Sequence, residues 1–94
     1  MQYTMTLEWD MNTIAGVSSG GSAATDGLRA GAAFCDEMGD GYECEKVSEA
    51  PDKSAVTVCV TFPGDSPRFT HEASAAWDRA LYNSGVRRRA EPQA

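Results

Sequence analysis

Residues 55–62, Ala-Val-Thr-Val-Cys-Val-Thr-Phe, constrain this chain more than any other stretch. Val56, Val58, Val60 and Phe62 alternate with Thr57, Cys59 and Thr61, and after Ala55 only Cys59 is neither β-branched nor aromatic. Such a period-two run is a strand with one apolar and one polar face. The apolar face must be covered by other elements, and the polar face is left toward water.

The remaining elements follow from periodicity and punctuation. Tyr3, Met5, Leu7 and Trp9 alternate with Thr4, Thr6, Glu8 and Asp10, which predicts a first strand. The stretch 11–17 extends that strand or is irregular, and 16–22 is too rich in glycine and serine to be regular, so a loop is expected there. Residues 23–38 read as a helix, with Ser22 as N-cap, Asp26 at the positive end and Gly39 after the last turn. Its apolar stripe is Ala24, Leu28, Gly31 or Ala32, Cys35 and Met38, and the small Gly27 and Gly31 allow a close approach to a sheet.

A second strand covers 42–47, with Tyr42 and Cys44 opposite Glu43 and Glu45, and Lys46 breaks the alternation as a bulge or a solvated edge would. Residues 48–54 have the chemistry of a hairpin turn into the 55–62 strand. A second helix begins at Ser66-Pro67 or at Thr70, carries Phe69, Ala73, Ala76, Trp77, Ala80 and Leu81 on one stripe, and stops at Asn83-Ser84-Gly85.

The expected fold is therefore α+β: a β-α-β-β-α two-layer sandwich in a single domain over 1–86, with 87–94 as a flexible tail. The sheet is three-stranded and mainly antiparallel, the most apolar strand is central, and both helices lie on the face of the valines, Met5, Leu7 and Trp9. A simple 1-2-3 order is the alternative. In element order the chain resembles a ferredoxin-like half without its fourth strand.

Fourteen acidic residues stand against eight basic ones, a formal charge of −6. The imbalance sits in the first half, where residues 1–50 hold nine acids and two bases. That field disfavours direct contact with nucleic acid or an anionic membrane and favours a basic partner. An open sheet face carrying Thr4, Thr6, Thr57, Cys59, Thr61 and glutamates also lacks the stacking aromatics and cations of an RNA-binding sheet. There is no basic and apolar leader and no stretch as long as a membrane span, and Cys35, Cys44 and Cys59 show no Cys-x-x-Cys or zinc spacing. The chain is expected to work reduced, in a cytoplasm.

The candidate partner-binding residues are Glu8, Asp36, Glu37, Asp40, Glu43, Glu45 and Glu49, because closely spaced carboxylates can imitate a phosphate track and occupy a nucleic-acid channel. Asp36, Asp40 and Glu43 are also candidates for a cation, but no EF-hand loop is present. The loop 16–22 matches neither a P-loop nor a dinucleotide motif, and His71 has no nucleophile or second acid at an informative spacing. No catalytic residue, cofactor or metal ligand is assigned.

In size, charge and lack of a catalytic motif the chain resembles small phage anti-defence proteins, including anti-CRISPR proteins. That resemblance implies a non-enzymatic inhibitor that blocks a Cas subunit or complex in a host cytoplasm. The rivals are an accessory or antitoxin-type subunit with an apolar interface, and a small ligand-binding domain or enzyme using the loop 16–22 and His71.

Overall fold

The computed structural model describes residues 1–18, 20–65 and 69–89. Its elements are β1 (Gln2–Trp9), α1 (Ile14–Val17), α2 (Ala23–Met38), β2 (Glu43–Glu49), β3 (Ala55–Thr61), α3 (His71–Ser84) and β4 (Val86–Arg88). The strands form one sheet in the order β2-β3-β1-β4, antiparallel at each pairing. The 55–62 strand is thus central, inserted between the first and second strands as its composition predicts.

The fourth strand corrects the three-stranded expectation. Gly85, left-handed at φ 75°, ends α3 by donating its N–H to the Leu81 and Tyr82 carbonyls, and the chain then turns back along β1. Val86 is buried opposite Trp9, and Arg87 and Arg88 pair with Glu8 and Leu7. Arg89 extends the contact by donating its N–H to the Thr6 carbonyl at 2.8 Å. A run of three arginines reads as a solvated tail only while its charges have no partners, and Glu8 and Asp78 supply them. Residues 90–94 of the expected tail lie outside the described residues.

The glycine-rich region also departs from expectation. Residues 14–17 form a one-turn helix, capped by Thr13, whose Oγ1 accepts from Gly16 N–H at 3.0 Å. A Cβ at Gly16 would meet the Asp10 carbonyl oxygen and lie 2.8 Å from that of Gly85, so backbone contact fastens α1 to the end of α3. Helix α3 itself starts at Thr70, which accepts from Ala73 N–H at 3.1 Å; the competing start at Ser66-Pro67 lies outside the described residues.

Two helices cover the apolar side of the sheet. Val56, Val58, Val60, Met5 and Leu7 are buried there beneath Phe34 of α2 and Trp77 of α3, whose rings meet edge to face at 5.0 Å. Trp77 Nε1 donates to Met5 Sδ at 3.1 Å, which gives its N–H a partner inside the core. Phe69, just before the α3 cap, packs on Tyr3, Phe34 and Phe62 with centroids 5.7, 5.9 and 4.8 Å away.

The buried face of α2 is rotated from the expected stripe. Ala23, Ala24, Gly27, Ala30, Gly31 and Phe34 are buried, Leu28, Cys35 and Met38 lie at its margin, and Ala32 is exposed. Close approach to the sheet sets this rotation. A Cβ on Gly27 would lie 2.8 Å from Val56 Cγ1, and one on Gly31 would lie 2.5 Å from Cys44 Sγ and 2.9 Å from Cys44 Cβ. The break predicted near Lys46 is a register shift between Lys46 and Ser48, which turns out Val47.

Gly31→Ala sets helix propensity against packing. Alanine favours the helix by about 1 kcal/mol, whereas the collision with Cys44 costs about 1–3 kcal/mol as overpacking. Urea unfolding should show a net loss of stability, and a stabilised variant would contradict the close α2–β2 contact.

Candidate binding surface

The seven carboxylates expected to act together are divided by the fold. Asp36 and Glu37 lie near the end of α2, Asp40 in the following turn, and Glu43, Glu45 and Glu49 along β2, all of them exposed. Since β2 is an edge of the sheet, they make an acidic rim from helix end to strand, in which Asp36, Glu43 and Glu45 meet at one groove and Glu49 lies at the far end of β2, beyond its register shift. Within this rim Lys46 is the only base, and Glu37 forms an ion pair with Arg79 of α3. Arg79 offsets the charge of Glu37, so the sign of the rim comes from Asp36, Asp40, Glu43, Glu45 and Glu49.

Glu8 belongs elsewhere. It stands on β1 beside the opposite edge strand, where its Oε1 is 3.4 Å from Arg87 Nε and its Oε2 is 3.5 Å from Arg89 Nε. Those two arginines offset its charge, so it is not part of the acidic rim. The arginines come from the chain's last described residues, and only the β1–β4 register brings them to Glu8.

The rim borders a groove between α2 and β2 of about 550 Å³. Leu28, Gly31, Cys35, Tyr42 and Cys44 form its inner wall, with Asp36, Glu43 and Glu45 at the mouth. Burial pushes the Cys44 thiol up to about 11, with the neighbouring Cys35, Cys59 and Glu45 adding in the same direction. Cys35 is raised as well, by burial and then by Asp36 and Glu43. Both thiols therefore stay protonated at neutral pH, which is opposite to the activation of a nucleophile.

Among the described residues no group of three or more His, Cys, Asp or Glu side chains is placed to hold a metal ion. His71 is the exposed first residue of α3. Of the loop expected at 16–22, Gly16 belongs to α1 and Ser22 caps α2 by accepting from Thr25 N–H at 3.2 Å. No described helix is long and apolar enough to cross a membrane.

Two surface features had no counterpart in the sequence reading. Met11, Ile14, Val17 and Tyr82 are exposed, and Ile14 and Tyr82 line one shallow cavity beside α1 and the end of α3. The signal for this patch was the spacing of Ile14 and Val17 after the capping Thr13, hidden by the glycines that follow. Val47 is the other, and its exposure comes from the bulge.

The raised Cys44 pKa gives a signed pH effect. The folded state holds the proton more tightly than the unfolded thiol, so the stabilising contribution is complete below about pH 9 and declines as pH rises toward 11. Thermal unfolding from pH 8 to 11 should lose less stability in Cys44→Ala than in the parent, and equal slopes would contradict the buried thiol. No protein-family model matches the chain, and no curated protein or solved structure matches it.

Proposed function

We propose that this protein is a non-enzymatic inhibitor that binds another protein through its acidic α2–β2 rim, occupying a basic surface that otherwise holds nucleic acid. The observation that carries this reading is the exposure of Asp36, Asp40, Glu43, Glu45 and Glu49 along one helix end, turn and edge strand. Carboxylates on a rigid edge present fixed negative charge at short intervals, as a phosphate backbone does. They speed encounter with a cationic channel by steering and select it by matched charge. The class resemblance to phage anti-defence proteins makes a Cas subunit the first partner to test.

A second reading is supported by the exposed Met11, Ile14, Val17 and Tyr82, which suit an accessory or antitoxin-type subunit with an apolar interface. Salt separates the two. Raising ionic strength from about 0.1 M to about 1 M shortens the screening length from about 10 Å to about 3 Å. Binding through the rim should weaken steeply over that range, whereas binding through the apolar patch should hold or strengthen.

Charge reversal supplies the residue-level test, read by calorimetry against a captured partner. Asp36→Lys with Asp40→Lys, and separately Glu43→Lys with Glu45→Lys, should each weaken binding by about 100-fold, because like charges across an interface cost several kcal/mol. Nucleic acid should compete with the wild-type protein for the same surface. Unchanged affinity in both double variants would rule out the rim, and loss on Ile14→Asp alone would favour the apolar reading.

A further inference from the structure

The open face of the sheet is not uniformly acidic, because strand register sorts its charges to opposite corners. Residues that share a row across the sheet share a face. Glu43, Thr61 and Gln2 form one row, and Glu45, Cys59 and Thr4 the next. Ser48, Thr57 and Thr6 form a third row, which Arg89 joins through its backbone bond to Thr6; Ala55, Glu8 and Arg87 form the fourth. The acids therefore occupy the β2 end of the first two rows and the arginines the β4 end of the last two. Glu8 pairs with both arginines and Asp52 of the β2–β3 turn also acts on Arg89, so Arg87 and Arg89 are the cations of a corner that holds acids as well.

Within one copy these corners cannot satisfy each other. They are separated by three strand spacings, about 14 Å, and by roughly two rows, about 13 Å along the strands. The diagonal of nearly 20 Å exceeds the screening length of about 8 Å at physiological salt. Between them lies a neutral strip of Thr4, Thr6, Thr57, Cys59 and Thr61, exposed at Thr4 and half-buried at the rest. The Thr6 and Thr57 hydroxyls hydrogen-bond to each other at 3.1 Å, so covering them leaves that pair satisfied.

We propose that this face docks a second copy of the chain, the two copies packed sheet on sheet about a two-fold axis lying between the faces. A closed symmetric dimer needs a self-complementary patch. Opposite signs at diagonal corners make one, because an in-plane axis perpendicular to the diagonal exchanges the corners. Glu43 and Glu45 of each copy then face the partner's Arg87 and the partner's Arg89, twice over, around the threonine strip. That axis runs oblique to the strands, so the two sheets cross steeply, in the orthogonal class of sheet packing.

Charge also selects this occupant over others. A nucleic acid on this face would meet Glu43, Glu45 and Glu8, and a uniformly basic surface would meet Arg87 and Arg89. Copies with a net charge of −6 repel one another in other orientations, and the crossed corners supply the attraction. The inference goes beyond the rim reading and shares only Glu43 and Glu45 with it. A basic partner on the rim would therefore compete with the dimer.

Sedimentation equilibrium on the whole chain tests the proposal. At about 0.1 M salt and concentrations up to about 0.5 mM, the wild-type protein should dimerise, with the association constant falling at least ~10-fold at about 1 M salt. Arg87→Glu/Arg89→Glu and Glu43→Lys/Glu45→Lys should each be monomeric with a native circular dichroism spectrum. An equal mixture of the two should dimerise again, since both corner contacts then pair opposite signs. Asp36→Lys/Asp40→Lys should leave the dimer intact while weakening a basic partner, which separates this proposal from the rim reading.

A monomeric wild-type protein, a dimer indifferent to salt, or folded variants that fail to associate when mixed would each overturn the proposal. Should Arg87→Glu/Arg89→Glu not fold beside Glu8, the salt dependence of the wild-type dimer and the effect of Glu43→Lys/Glu45→Lys decide alone.

Discussion

Covering one face of β3 is the constraint on which the rest of the molecule depends. Val56, Val58 and Val60 are fully buried or nearly so, and Phe34 and Trp77 cover them from two different helices through one edge-to-face contact. Each large buried side chain removed from water contributes about 1.5–3 kcal/mol, and aromatic pairs in this geometry add about 0.5–1.5 kcal/mol. The cover determines where everything else goes. Gly27 and Gly31 let α2 settle against Val56 and Cys44, and the side chains excluded from the core face become the open surface.

Much of this was legible in residue order. The alternation of residues 55–62 placed both faces, Thr70 and Ser22 were readable as caps, and Lys46 marked the register shift. What was hidden depended on contacts distant in sequence. Nothing local in Val86-Arg87-Arg88 predicts a strand, because its pairing with β1 and the charges of Glu8 and Asp78 lie far away along the chain. The rotation of α2 was hidden for a related reason. A stripe chosen by spacing ranked Leu28 and Cys35 above Phe34, while the actual face follows the glycines that must meet the sheet.

The same distinction applies to the surface. Asp36, Glu43 and Glu45 are near in sequence and line one groove, since a helix end, a turn and an edge strand follow one another without a long connection, while Glu37 pairs with Arg79 and Glu49 lies at the other end of β2. Glu8 entered that group by its place on the open face, which it does share with Glu43 and Glu45, but Arg87 and Arg89 offset its charge. Charge counting therefore found the rim but missed its complement at the opposite edge. The sheet carries acid on β2 and arginine on β4, with hydroxyls and a thiol between, and this polarity follows from register rather than from composition.

The central claim is that the α2–β2 rim is a surface for cationic partners. Backbone amide NMR during titration with a short oligo-arginine peptide tests it most directly, because the probe carries positive charge and little else. Shift changes should concentrate at residues 36–49, saturate with the peptide and vanish at high salt, with α1 unaffected. Changes spread evenly over the molecule, or centred on Met11, Ile14 and Tyr82, would contradict it.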